Sequence, residues 1–299
     1  MKLLSYKYND IEQVGVISSD ENYVYPIKSL GYDFNSMQEL IDNISHNDLM
    51  KMTNQVKRGI NKALPFDKIE ILSPLPIARD IICIGFNFEN HAKAVTRLRG
   101  EEISKAKIDN PIYFSKRIYN PTPDGGSIPY IPGYADNLDF GVELAVIIAE
   151  DILNISQEHA LDYVFGYTIA NDVCDTRINK IYTQPFLGKS LDGYLPLGPW
   201  IVTADEFKKD EIFQLRLSIN GELVQYGTTE QLTFSIPYMI SELSRNMTLK
   251  AGTIILTGSP ANREPSILSN RKIKPGDIVT CEIKGIGCLS NKVEEREQV

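Results

Sequence analysis

Long apolar runs are missing from this 299-residue chain. The longest candidate, Val142–Ala149, is interrupted by Glu143 and falls far short of the roughly 18 residues that span a bilayer. It reads as a buried strand, and no membrane partner is expected. The opening Met1-Lys2-Leu3-Leu4-Ser5-Tyr6-Lys7 has no long apolar stretch and no cleavage site, so no signal peptide is expected. Cysteines are few. Cys83, Cys174, Cys281 and Cys288 are scattered and form no C-x-x-C pair, which reads as four reduced core or near-core thiols in a cytoplasmic protein. A basic excess is also missing. The net charge is −8, whereas a general nucleic-acid binder carries a basic face. A locally basic pocket for an anionic small molecule stays open. Neither G-x-G-x-x-G nor G-x-x-x-x-G-K-[ST] occurs, so nucleotide binding has no motif support. Internal repeats and low-complexity tracts are absent.

What is present suits a soluble globular chain. The hydrophobic share of 42% and charged share of 23% are ordinary. The length allows one large domain, or one large and one small. Residues 1–72 read as a small leading module and 73–299 as the main domain. The module opens with strand-like runs at Val14–Ile17 and Tyr23–Pro26. Ser36-Met37-Gln38-Glu39 forms a capping box, with Met37, Leu40, Ile41 and Ile44 following at helical spacing. A second helix is predicted over about Asn47–Lys62, and a proline-punctuated linker runs from Leu64 to Pro76.

The remainder is rich in strands: Ile81–Gly85, Pro111–Ser115, an alternating Phe213–Ile219, and Ile278–Ile283 after the turn Lys274-Pro275-Gly276-Asp277. Asn220-Gly221 predicts a two-residue hairpin with positive φ at both positions. Ser156 is read as the cap of a helix bearing Ala160, Leu161 and Val164. Ser235 is read as the cap of another, with Ile236, Met239, Ile240, Leu243 and Met247 on one face. Together these give an α+β protein, mainly β, with mixed and antiparallel sheet.

Several segments, taken in order, carry a family likeness. They are Ile82–Ala92 (Ile-Cys-Ile-Gly-Phe-Asn-Phe-Glu-Asn-His-Ala), Phe114-Ser115-Lys116, Leu138–Ala145, Gly166–Asp172, Gly188–Asp192, Pro196–Trp200, Asn220-Gly221-Glu222, Leu256–Pro260, Lys274–Asp277 and Gly285-Ile286-Gly287. In order and spacing the chain resembles the fumarylacetoacetate hydrolase family over about 220 residues. The resemblance implies a mixed β-roll or sandwich and a homodimer. It also implies action on small 2-oxo or dioxo acids, by carbon–carbon hydrolysis, decarboxylation or tautomerisation, with Mg²⁺ or Mn²⁺ as cofactor. The chemistry is coherent. A hard divalent ion takes oxygen ligands and leaves positions open. A 2-oxo carboxylate can chelate it, and the ion then stabilises an enolate.

Carried over residue by residue, the resemblance makes Glu143 and Asp172 metal ligands. A carboxylate within an apolar strand is costly unless it is paired or metal-bound, and an ion pair with a lysine is the alternative. Gly141 stands where the family has its first glutamate ligand, so metal binding is expected to be weak. Asp139 lies roughly 13 Å from Glu143 along an extended strand, too far to substitute. If that register holds, Gly141→Glu is expected to strengthen Mg²⁺ or Mn²⁺ binding. His91 matches the family's lid histidine, a general base, but Ala94 replaces the glutamate that follows it. The charged segment Glu89–Lys107 corresponds to the lid. Lys189 is a catalytic candidate. Lys116, Thr257, Gly258 and Arg177 are substrate-binding candidates, with Arg177 displaced by one position. Three readings follow: a metal-dependent oxo-acid enzyme, a metal-independent enzyme on the same fold, and a non-catalytic ligand-binding member.

Overall fold

The structure, a computed structural model, describes residues 1–59, 63–76, 79–90, 109–262 and 273–297. In chain order the first strands are β1 (Lys2–Tyr8), β2 (Ile11–Ile17), β3 (Tyr23–Pro26), β4 (Leu64–Pro65) and β5 (Glu70–Ile71). β6 (Ile81–Gly85), β7 (Ile112–Ser115), β8 (Ser127–Tyr130), β9 (Leu138–Asp139), β10 (Val142–Ile148), β11 (Val164–Asn171) and β12 (Cys174–Asp175) follow. The last are β13 (Leu197–Thr203), β14 (Gln214–Ile219), β15 (Glu222–Thr228), β16 (Ile254–Leu256), β17 (Ile278–Ile283) and β18 (Gly287–Glu295).

Among the described residues, one large sheet runs β4-β3-β2-β1-β13-β11-β10-β16-β6-β7, with β5 also on β1. A second runs β15-β14-β17-β18-β8, and β9 pairs with β12 separately. The molecule is mainly β. The leading strands join the large sheet directly, with Leu3 of β1 opposite Ile201 of β13.

β10 lies at the centre, and all seven of its residues are buried. Its alternation feeds two cores, because successive side chains leave opposite faces of a strand. Val142, Leu144, Val146 and Ile148 enter the core that also holds Leu215, Leu217, Val279, Ile283 and Leu289 of the second sheet. Ala145 and Ile147 enter the other core, with Met37, Leu40, Ile41 and Met52 from the two N-terminal helices. Glu143 shares the face of Ala145 and Ile147, so its carboxylate points away from the second sheet. No helix among the described residues is long and apolar enough to cross a membrane.

The local expectations meet mixed outcomes. The hairpin forms as read, with φ of 51° at Asn220 and 82° at Gly221, and Leu215, Leu217 and Ile219 are buried. Ser36 caps Met37–Asn43 through the Glu39 amide, but the Glu39 carboxylate reaches back to the Asn35 amide rather than to Ser36. The second helix is His46–Arg58, started by Ser45. Ser235 caps Ile236–Leu243 as predicted, yet Met247 lies past the helix end and is exposed. The helix predicted after Ser156 is only a 3-10 turn, Ala160–Tyr163, and Val164 already opens β11. The pull of the sheet on the apolar Val164–Ala170 run overrides the helical spacing. Cys83, Cys174 and Cys281 are buried and Cys288 is exposed; all four are free thiols.

Candidate active site

Three strand ends converge on the predicted acids. β10 and β11 pair with Glu143 opposite Ala170 and Val142 opposite Asn171. Asp172, the first residue past β11, therefore comes level with Gly141, and its amide donates to the Gly141 carbonyl at 2.8 Å. On the other side of β10, Leu256 of β16 lies opposite Ala145. That register brings Gly258 up to Glu143, whose Oε2 accepts the Gly258 amide at 2.7 Å. Gly258 has φ of 94°, and a Cβ there would stand 3.0 Å from the Asn87 Cβ, so both conformation and space require glycine.

Asp172 holds two lysines. Lys116, one residue beyond β7, places Nζ 2.6 Å from Oδ1 and also donates to the Val173 carbonyl at 2.8 Å. Lys189, the last residue of the helix Pro185–Lys189, donates to Oδ2. Its ammonium also lies 4.9 Å from the Phe114 ring centroid, a favourable cation–π placement. The Asp172 and Lys116 side chains are 4% and 0% exposed, and that of Lys189 is 16% exposed. Lys189 is thus the member that still reaches solvent.

Burial and charge set the ionisation. Burial raises the Glu143 carboxyl above the usual carboxylate range, and the Asp172 charge adds to the rise; Lys189, the Gly258 amide and Lys116 pull the other way. Burial would raise Asp172 too, but its two lysines outweigh that and hold it below the usual range. Burial would depress Lys189, yet Asp172 foremost, with Cys174 and Glu143, raises it. Cys83 and Cys174 lie close enough to feel these charges, and burial pushes both thiols up, Cys174 to about 12.

Of the predicted residues, the structure brings together Glu143, Asp172, Lys116, Lys189 and Gly258. Thr257 is fully buried beside them in sequence, its hydroxyl without a hydrogen-bond partner among the described residues. Arg177 stands apart, donating to the carbonyls of Gly133 and Tyr134 from the exposed helix Thr176–Tyr182. Asp139 pairs with Cys174 on the small sheet, off β10. His91 and the lid stretch 91–107 lie outside the described residues.

Two residues that hold the site escaped the sequence reading. Asn87 is buried; its Nδ2 donates to the Thr257 and Phe234 carbonyls, both at 3.0 Å, and its Oδ1 accepts the Phe234 amide at 2.8 Å. A polar residue closing the apolar run from Ile81 was the available signal. Gln225 reaches across from β15. Its Oε1 accepts the Val142 amide at 3.1 Å and its Nε2 donates to the Phe140 carbonyl at 3.0 Å, so it grips the chain on both sides of Gly141. Nothing in a lone strand glutamine announces that role. Gln225→Ala strands a buried amide and carbonyl and is expected to lower stability by about 1–3 kcal/mol. Urea unfolding would measure it, and an unchanged midpoint would contradict the grip.

A divalent ion can be tested against this donor set. Among the described residues, no group of three or more His, Cys, Asp and Glu could hold a metal. At Gly141 a Cβ would meet the Ser259 Oγ at 2.8 Å and its Cβ at 2.9 Å. The seat of the first ligand is therefore filled as well as empty of carboxylate, and Gly141→Glu alone is expected to strain the site rather than simply improve it. Two hard oxygen donors, Glu143 and Asp172, fit a loosely held ion. They do not make a three-carboxylate site.

Comparisons with known proteins bear on the family and the fold. The family model for the fumarylacetoacetate (FAA) hydrolase C-terminal region matches residues 80–294. An uncharacterized protein of Staphylococcus aureus (strain USA300) is 32% identical, the match covering 98% of this chain and 99% of that one. The solved fumarylacetoacetate hydrolase of the psychrophile Exiguobacterium antarcticum is 29% identical, with a TM-score of 0.77, and the match covers 99% of this chain and 100% of that one. Maleylpyruvate hydrolase of Sphingobium sp. SYK-6, solved with manganese(II) and pyruvate, is 26% identical, with a TM-score of 0.73 and 99% of each chain covered. A match over most of the chain, on a mainly β architecture with the acids at converging strand ends, makes this chain a member of the fumarylacetoacetate hydrolase family.

Proposed function

We propose that this protein is an enzyme acting on a small 2-oxo or dioxo acid through an enolate, by carbon–carbon hydrolysis, decarboxylation or tautomerisation. The observation that carries the reading is the buried Asp172–Lys116–Lys189 cluster beside Glu143. Buried charges are costly to keep, and two ammonium groups facing one carboxylate give a place for an anion. Relatives named as hydrolases of such acids support the substrate class.

Glu143 and Asp172 would hold Mg²⁺ or Mn²⁺ weakly, and a bound ion would supply Lewis acidity toward the oxo group. Lys116 fixes Asp172 from the closed side. Lys189, on the open side, lowers the cost of negative charge on the substrate, since a preorganised cation in a dry site is worth far more than in water. The Gly258 amide holds the Glu143 carboxylate in place, and Thr257 and Gly258 border the substrate carboxylate. His91 is assigned the proton transfer. The active unit is taken as a cytoplasmic homodimer. Arg177, spent on the Gly133 and Tyr134 carbonyls, has no part here.

The test is turnover of acylpyruvates and oxaloacetate with added Mn²⁺, followed by pyruvate formation. Activity with one of them, lost in Glu143→Ala, is expected. No turnover of any would sink the substrate class. Because both Asp172 oxygens already face ammonium groups, a metal-independent enzyme is the second reading. Undiminished turnover in EDTA would select it.

A further inference from the structure

Two lysines from different elements meet on one carboxylate, and something must set the distance between them. Lys116 leaves the end of β7, where its own amide still donates to the Ile81 carbonyl of β6 at 3.2 Å. Lys189 ends the helix Pro185–Lys189. Five residues are too few to hold a helix in place unaided, so this one has to be docked. Gly188 docks one side: a Cβ there would collide with the Asn179 Oδ1 and the Asp175 carbonyl oxygen, so the helix lies close against both residues. Ser190 docks the other side. Amides alternate in direction along a strand. Lys116 turns its amide to β6, and Arg117 turns its own to the open edge, where the Ser190 Oγ accepts it at 3.0 Å. The carriers of the two ammonium groups are thereby tied together: Lys116 is bonded to Arg117, Arg117 is held by Ser190, and Ser190 is bonded to Lys189.

We infer that Ser190 is the positioning residue of the lysine pair: its hydroxyl fixes the end of the short helix so that Lys189 meets Oδ2 of Asp172 while Lys116 holds Oδ1. Lys116 has other holds. Its ammonium also donates to the Val173 carbonyl, and its side chain is fully buried. Lys189 has fewer. Among the described residues Asp172 is the hydrogen-bond acceptor of its ammonium, with the Phe114 ring 4.9 Å away. A lysine stem is flexible, so the place of this ammonium depends on where its helix ends, and Ser190 sets that end. The catalytic consequence rests on the reading of Lys189 as the charge that a substrate anion meets; the position of Lys189 does not.

The positioning is tested on the full-length protein without metal or substrate, by brief reductive methylation with formaldehyde and cyanoborohydride, quantified lysine by lysine in peptides. In Ser190→Ala the methylation of Lys189 is expected to rise by about three- to tenfold, the scale of one lost hydrogen bond. Lys116 is expected to stay protected, and Ser190→Thr, which keeps a hydroxyl, to return Lys189 to the wild-type rate. An unchanged Lys189 rate, an equal rise at Lys116, or a rise that Ser190→Thr fails to reverse would overturn the positioning role. The catalytic consequence is read with whichever oxo acid is turned over. Ser190→Ala is expected to lower kcat by about tenfold, the cost of a misplaced group, with KM within about twofold. Unchanged constants would confine Ser190 to the fold. If no acid is turned over, the functional reading fails by itself, and the methylation pattern still rules on Ser190.

Discussion

Asp172→Ala is expected to lower the unfolding free energy by about 3–5 kcal/mol, the usual consequence of removing one partner from a buried ionic cluster. Lys116 has a fully buried side chain, and Lys189 is nearly buried. Without Asp172 both ammonium groups lose the carboxylate they contact, and Glu143 is the described acid that still acts on Lys189. The Val173 carbonyl cannot replace a carboxylate. The cost therefore comes from the stranded lysines more than from the lost attraction. A second variant separates the two: Asp172→Asn combined with Lys116→Met removes one charge of each sign and is expected to recover part of the loss. Urea unfolding of the single and paired variants measures this. A loss below about 1 kcal/mol, the scale of a surface pair, would mean that the cluster is solvated and the site is not the dry pocket described.

Lys189→Met carries the largest expected effect on chemistry. The ammonium is the cluster member with access to solvent, so it is the one a substrate anion meets. Removing one preorganised charge stabiliser from an active site typically costs about 10²–10³ in kcat. The change keeps the side-chain length and much of the packing against Phe114. A loss confined to KM would assign Lys189 to binding alone. A variant with both constants unchanged would remove it from the site.

The family and its acids were legible because they ride on strands. Glu143 interrupts an apolar run that has to be buried on both faces, and a period of two fixed its direction. The Asp172 position followed from the Gly166–Asp172 segment once β11 was set against β10. The alternative considered for Asp172, a buried pair with lysine, is what the geometry contains, twice over. The crowding of Gly141 by Ser259 could not be read in advance. It depends on two strand ends meeting across β10 and on a distance of less than 3 Å to a missing atom. Gln225 was hidden for the same reason, since the bulge between Leu217 and Ser218 in the β14–β15 pairing breaks the simple alternation that marks a strand residue as exposed. The error at Ser156 was local: a capping residue and three apolar positions spelled a helix, but Val164 belongs to a strand buried along its whole length.

The metal-dependent reading turns on Glu143 and Asp172 holding an ion that an oxo acid can share. The direct measurement is calorimetric titration of metal-stripped protein with Mn²⁺, alone and with oxalate as an enolate mimic, with Glu143→Ala as the control. Weak saturable binding, tightened about tenfold by oxalate, or 1.4 kcal/mol, and abolished in Glu143→Ala, is the predicted result. No saturable binding in either condition, or equal binding by Glu143→Ala, would contradict it.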